Sequence, residues 1–287
     1  MTFPKGTPSE PRPRLLDLFS GQGGAARGYQ AAGWHVTGVD IADHSKRYAG
    51  DVFVQGDALA YLAEHGHEFA AIHASPPCQG YTIATAGNPK ARAKHQRLIA
   101  ATRELLEQTG RPWVIENVEQ ARSQMRNPIL LCGRMFGLTA RDADTTLLTL
   151  DRHRLFESNV PLVAPEHPAH NGEQVAGVYG GSRRAKRRPG ESLAEVAPRD
   201  RWAARVERGG GYVPRSKAVQ QELLGIDWMT VKGMQESIPP AYAAHIGAQL
   251  IDALRWCVVC RSRWRCMRGY IGERLCDAPW HTTEEVA

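Results

Sequence analysis

The sequence predicts an α/β fold with a doubly wound sheet, and three observations carry the prediction. A short apolar run, Leu15-Leu16-Asp17-Leu18, leads into the glycine-rich turn Ser20-Gly21-Gln22-Gly23-Gly24. The next two candidate strands end on carboxylates, Asp40 and Asp57. A further apolar run, Phe69 to Ala74, is followed at once by Pro76-Pro77-Cys78-Gln79. Open α/β sheets present ligand-binding and reactive groups at the carboxyl ends of their strands, so special residues at successive strand ends point to this architecture.

Each element has its own signal. Ala25 to Ala32 reads as a helix closed by Gly33, and glycines ahead of it let the backbone approach a ligand closely. His35-Val36-Thr37-Gly38-Val39 is the second strand; the carboxylate at its end, roughly 20 residues past the glycine turn, suits a ribose diol. Val52-Phe53-Val54 is the third strand, running to Asp57. Gly, Asp and Asp at three strand ends form a nucleoside-binding pattern. The dinucleotide fingerprint is not met, because its third glycine falls on Ala26. Prolines fix φ and remove backbone donors, so Pro76 and Pro77 make a stiff loop that presents the Cys78 thiol. Pro112 to Ile115 is another strand, ending in Glu116-Asn117-Val118. Arg152-His153-Arg154-Leu155-Phe156-Glu157 follows. Ile238-Pro239-Pro240-Ala241-Tyr242 opens a helix with Ile246, Leu250, Ile251 and Leu254 on its apolar side.

Taken in order, these motifs resemble the DNA cytosine-5 methyltransferases over about residues 14–157 and 218–254. Pro-Pro-Cys-Gln, then Glu-Asn-Val, then Arg-x-Arg is the specific part. The resemblance implies a Rossmann-like S-adenosylmethionine-dependent methyltransferase domain with a small inserted target-recognition lobe. It implies methyl transfer to C5 of cytosine in DNA, with Cys78 adding to C6 of a flipped-out base. Glu116 is the implied partner of the N3 edge, and Arg154, with Arg152 beside it, the implied contact of O2. A free thiol is barely ionised at neutral pH, so the site is expected to favour the thiolate with help from the arginines. For the cofactor, the resemblance implies Phe19 near the adenine, Gly21 and Gly23 along the methionine portion, Asp40 on the ribose and Asp57 on the adenine amine. Ile41 and Pro76 complete that set. Phe19 has core packing as its alternative role, and Asp57 has helix N-capping before Ala58-Leu59-Ala60. One departure stands out: Gln235-Glu236-Ser237 occupies the place where the family usually carries Gly-Asn before the small residue and the prolines.

At 287 residues the chain can bury one α/β core and a small second lobe. Its net charge of +6 and pI near 9.1 favour a polyanionic partner, expected to be double-stranded DNA. No apolar run reaches membrane-spanning length. The polar, proline-rich segment 1–13 is not a signal peptide and reads as a flexible leader. Six scattered cysteines do not form a secreted disulfide framework, which points to a reducing, cytoplasmic setting, and a monomer is expected.

The charge concentrates in Arg183, Arg184, Lys186, Arg187 and Arg188, inside residues 158–217, the stretch that occupies the recognition slot. A basic loop there is expected to contact phosphates, with Val175 to Tyr179 as a supporting strand and a short target site. Gln79 neighbours the gap that base flipping leaves. Residues 255–287 form a basic tail with Trp256, Trp264 and Tyr270 among its arginines. Cys257-x2-Cys260 opens like a zinc knuckle, with Cys266, Cys276 or His281 as further ligands, but the second pair lacks standard spacing. The tail therefore reads first as a nucleic-acid-contacting arm. Two rival functions remain: the same chemistry on RNA, and an inactive DNA-binding homologue.

Overall fold

The computed structural model describes residues 12–81, 97–142, 145–171, 174–178, 214 and 216–255. Five parallel strands come first: β1 (Arg14–Leu18), β2 (His35–Asp40), β3 (Val52–Gln55), β4 (Ala71–Ala74) and β5 (Trp113–Val118). With β6 (Ile129–Leu131) and β9 (Arg154–Ser158) they form a seven-stranded sheet in the order β3-β2-β1-β4-β5-β9-β6. β9 runs antiparallel between β5 and β6, pairing Arg154 with Val118 on one side and with Leu131 on the other. The sheet is therefore mixed, and the segment expected only as a motif is an interior strand next to the β6 edge.

The helices cover both faces. On one face lie α1 (Gly24–Ala31) and α6 (Pro240–Arg255), and on the other α2 (Ala58–His65) and α3 (Ile99–Gln108). Alternation along β1 divides the core accordingly: Leu15 joins Tyr29, Trp34, Tyr242 and Ile246, while Leu16 and Leu18 join Leu62, Ile72, Leu106 and Ile115. α1 and α6 approach closely because Gly24 and Gly28 carry no side chain. A Cβ on Gly28 would lie 2.1 Å from the Pro240 carbonyl oxygen, and one on Gly24 2.5 Å from that of Ile238. Gly24, where the turn meets α1, and Gly28 within α1 thus serve helix packing.

A buried ion pair fastens α3 to β9. Arg103 donates from Nε to Glu157 Oε1 at 2.5 Å and from an Nη to Oε2 at 2.7 Å, and the Arg126 amide also binds Oε2. Both side chains are almost fully buried. Glu157→Ala would leave the guanidinium without its counter-charge, and a loss of about 3–5 kcal/mol is expected. Urea unfolding checks it: the midpoint should fall with the slope unchanged.

A second, three-stranded sheet in the order β10-β8-β7 is built from β7 (Thr139–Arg141), β8 (Leu147–Leu150) and β10 (Gln174–Ala176). It packs on α4 (Lys217–Leu224) and α5 (Val231–Glu236) through Leu148, Leu150, Ala176, Leu223 and Met234. The strand expected at 175–179 is present in part, as β10 over Gln174–Ala176, and Tyr179 lies outside the described residues. The sequence reading assigned all of 14–157 to the catalytic part and 158–217 to the recognition region; in the structure β7 and β8 leave the main sheet and β9 returns to it. Among the described residues no helix is long and apolar enough to cross a membrane.

Candidate active site

The carboxyl ends of β1 to β5 lie along one edge of the sheet, and the order places a switch point between β1 and β4. The chain leaves β1 through Phe19, which holds a positive φ of 59°, and Gly21, with φ of 51°. A Cβ on Gly21 would meet nothing within 4 Å, so the turn is open on that side. Gly23 is different: a Cβ there would lie 2.7 Å from the Ala49 nitrogen and 3.1 Å from the Tyr48 ring. It is required by protein packing as well as by its φ of 81°. Phe19 is partly buried against the α2–α3 core, in keeping with the packing alternative.

Asp40, at the end of β2, accepts from the Gly21 amide through Oδ2 and from the Ala42 amide through Oδ1, each at 2.9 Å. It ties the glycine turn to the β2 loop, and a carboxylate oxygen with one donor keeps a lone pair for another. Ile41 beside it is 70 % exposed, an apolar surface at the rim. Asp57 caps α2: its Oδ1 accepts from the Leu59 and Ala60 amides. The turn is closed from the far end of the chain, where Gln22 exchanges hydrogen bonds with Thr230 and accepts from the Trp228 indole.

Two polar groups under this cradle bear on its ligand. Asp17 is buried, and burial raises its carboxyl well above the usual range, with Asp40 adding to the effect. Its Oδ2 and the Ser20 hydroxyl have no hydrogen-bond partner among the described residues. A cradle with an open glycine turn, an exposed isoleucine and carboxylates at strand ends fits a nucleoside-bearing ligand.

Cys78, Glu116 and Arg154 gather beside it. Cys78 opens a 3-10 turn, Cys78–Gly80, after the buried Pro76. The Asn117 amide donates to the Pro76 carbonyl at 2.8 Å, and its oxygen accepts from the Val118 amide. The Glu-Asn-Val motif therefore holds the cysteine loop at a fixed place over β5. Glu116 is buried and pairs with Arg154, Nε to Oε1 at 3.0 Å. Burial raises the Glu116 carboxyl above its usual value, while Arg154 and a hydrogen bond from Ser75 pull it back. Ser75 in turn binds His73 Nε2 at 2.7 Å, and His73 Nδ1 binds the Tyr29 hydroxyl at 2.9 Å. Burial lowers His73 to about 3, so this ring is neutral and links the hydroxyls of Tyr29 and Ser75 to the carboxylate. Ser75, His73 and Tyr29 were missed by sequence reasoning. A polar residue inside the run Ala71-Ile72-His73-Ala74 was the available signal, since a buried histidine needs partners.

Two expectations need correction. The thiol was expected to be tuned towards thiolate, but burial raises Cys78, Arg154 opposes that most strongly, and Glu116 adds to the rise. Desolvation outweighs the arginines, so the free protein holds a thiol. Arg152 was expected to work beside Arg154 on the base, yet it is 1 % exposed and donates to the main-chain carbonyls of Val178, Gln235 and Ser237. Tyr242 returns a bond from its hydroxyl to the Arg152 carbonyl. Arg152 is a positioning residue that locks the β8–β9 connection to the α5–α6 loop, including the departure Gln235-Glu236-Ser237. Glu236 ends α5 and is exposed.

Gln79 is exposed beside Cys78. Arg183, Arg184, Lys186, Arg187 and Arg188 lie outside the described residues, as do the tail cysteines Cys257, Cys260, Cys266 and Cys276.

With its mixed sheet, helices on both faces and strand-end cradle, the chain has the fold of S-adenosylmethionine-dependent methyltransferases. In particular it is similar to the crystal structure of Schizosaccharomyces pombe Dnmt2 methyltransferase, with 14 % identity and a TM-score of 0.50, covering 85 % of this chain and 99 % of that one. It also matches the Entamoeba histolytica methyltransferase EhMeth, at 15 % identity and a TM-score of 0.45, over 85 % of this chain and 99 % of that one. No family model and no curated protein matches the sequence.

Proposed function

We propose that this protein transfers a methyl group from S-adenosylmethionine to C5 of cytosine in duplex DNA. The observation that carries the reading is the convergence of Cys78, Glu116 and Arg154 at the ends of β4, β5 and β9, next to the strand-end cradle. Cofactor binding would fall to Phe19, Gly21, Asp40, Ile41 and Asp57. When bound, the cofactor supplies an electrophilic methyl group on a sulfonium.

The target base must leave the helical stack, because its faces are covered in a duplex. Cys78 passes its proton to Glu116 as it adds through sulfur to C6, which breaks the C5–C6 double bond. Glu116 donates to N3 and neutralises charge that builds on the ring, while Arg154 holds Glu116 and faces O2. The electron pair at C5 takes the methyl group. Loss of the C5 proton to solvent, with the N3 proton returning to Glu116, then restores the double bond and expels the Cys78 thiolate, so one hard step becomes two easier ones. Because burial favours the neutral thiol, the proton has to leave as the base arrives. Glu116, also raised by burial, is the group positioned to manage charge at that moment.

Net positive charge and the run Arg183 to Arg188 support a nucleic-acid substrate. Neutralising those five basic residues should reduce the log–log salt slope of DNA binding by about 0.9 per lost phosphate contact. The direct test supplies labelled S-adenosylmethionine to the purified protein with duplex DNA or transfer RNA, then digests the product to nucleosides. Label in 5-methylcytosine from DNA supports the reading. Label from RNA alone moves the function to RNA, and label in neither from a cofactor-binding protein overturns it.

A further inference from the structure

Four side chains outside the reaction site meet at one point. Cys132 Sγ and single ligand atoms of His153, His167 and His170 all lie within 4.8 Å of one another. His153 and His167 approach Nε2 to Nε2 at 3.4 Å, and Cys132 Sγ lies 3.9 Å from His170 Nε2. Zinc bonded to nitrogen at 2.0–2.1 Å and to sulfur at about 2.3 Å in a tetrahedron gives edges of about 3.4 Å for N···N and about 3.6 Å for N···S. The observed separations match the first and come within a few tenths of an ångström of the second.

The other nitrogen of each ring is also engaged. His153 Nδ1 faces Glu119 Oε2 at 3.3 Å, His167 Nδ1 faces the Pro168 carbonyl at 2.9 Å, and His170 Nδ1 faces Asp151 Oδ2 at 3.2 Å. Asp151 is itself held by Arg134 through Nε at 2.5 Å. An oxygen acceptor at every Nδ1 puts the proton of the neutral ring there and leaves each Nε2 with a free lone pair aimed inwards. That is how metal-bound histidines are oriented. Without an ion the arrangement has little to recommend it. The rings of His167 and His170 stack at 5.0 Å, and both lie within 5.5 Å of His153, so protonation would set like charges together.

We propose that Cys132, His153, His167 and His170 bind a zinc-class divalent cation. One thiolate and three imidazoles suit zinc, and four protein ligands close the coordination sphere, which makes the site structural. Its place in the fold gives it a task. Cys132 follows β6, His153 sits between Arg152 and Arg154, and the pair His167-x2-His170 lies on the strand-free stretch leading to β10. The ion would pin the β8–β9 connection, and with it the start of the strand that carries Arg154, to the segment entering the second sheet. This assignment rests on the cluster alone and does not depend on the proposed reaction. None of its four proposed ligands is a tail cysteine.

The test measures metal in the full chain, purified without chelator. The unmutated chain should lose one equivalent of zinc on Cys132→Ser, and also on His167→Gln combined with His170→Gln. A variant with Cys257, Cys260, Cys266 and Cys276 all changed to serine retains only Cys78 and Cys132 and should still hold about one zinc per chain. Loaded with cobalt(II), that variant should show the visible bands of a tetrahedral ion and a thiolate charge-transfer band. The charge-transfer band should vanish on adding Cys132→Ser and persist on adding Cys78→Ser. The tetrahedral cobalt bands of the tail variant itself need no change to any proposed ligand, so a misfolded ligand variant cannot obscure that reading. Absence of saturable zinc or cobalt binding by the tail variant would overturn the proposal, as would zinc content unchanged by both Cys132→Ser and the histidine pair.

Discussion

Replacing Cys78 with serine is expected to lower methyl transfer by roughly 10³-fold or more, because a hydroxyl is a far weaker nucleophile than a thiolate. The position adds to the loss. Cys78 sits on a stiff loop that Asn117 ties to β5 through the Pro76 carbonyl, so serine would be presented in the same place and only the chemistry would change. Cofactor affinity, read by calorimetry, should stay within about threefold of wild type, since the cradle at the ends of β1 to β3 is untouched. A serine variant that transfers methyl groups at a rate comparable to wild type would remove Cys78 from the mechanism.

Glu116→Gln is expected to slow the single-turnover rate by roughly 10²-fold, the usual scale for a positioned acid. The pH profile carries more information than the rate. The productive state holds one proton between Cys78 and Glu116: thiolate with carboxylic acid, or its tautomer. Below the Glu116 value, which burial raises, both groups are protonated and the rate falls as pH falls. Above the Cys78 value, also raised, both are ionised and the rate falls as pH rises. Between them the wild-type profile should be flat. Glutamine cannot titrate, so the variant needs only the thiolate, and its rate should climb with pH through neutrality until Cys78 is ionised. A variant profile parallel to the wild type would mean that Glu116 does not share the proton.

Much of this framework is legible in the chain because strand ends are punctuated by residues with strong local physics. Ser20 to Gly24, Asp40, Asp57 and Pro76-Pro77 each mark where an apolar run stops, and the structure brings those ends to one edge of the sheet. The sequence pattern was weaker where local signals were short. β7 and β8 span three and four residues, too few to distinguish a second sheet from a loop. Arg152 and Arg154 look equivalent in sequence, yet Arg152 precedes β9 and bonds main-chain carbonyls, while Arg154 opens the strand and pairs with Glu116. The Cys132–histidine cluster joins segments with no regular spacing between them. Its one local cue was the pair His167-x2-His170, which signifies a ligand set only once the fold supplies Cys132 and His153.

The central claim is that Cys78 forms a covalent bond to C6 of a cytosine on the way to C5 methylation. Duplex DNA carrying 5-fluorocytosine at the methylated position tests it most directly. Fluorine cannot leave C5 as a proton does, so elimination stalls after the methyl group has been added. A stable protein–DNA adduct is expected that forms only with S-adenosylmethionine present, maps to the peptide containing Cys78 and is missing in Cys78→Ser. Efficient methylation of ordinary DNA with no trapped adduct, or an adduct that survives Cys78→Ser, would contradict it.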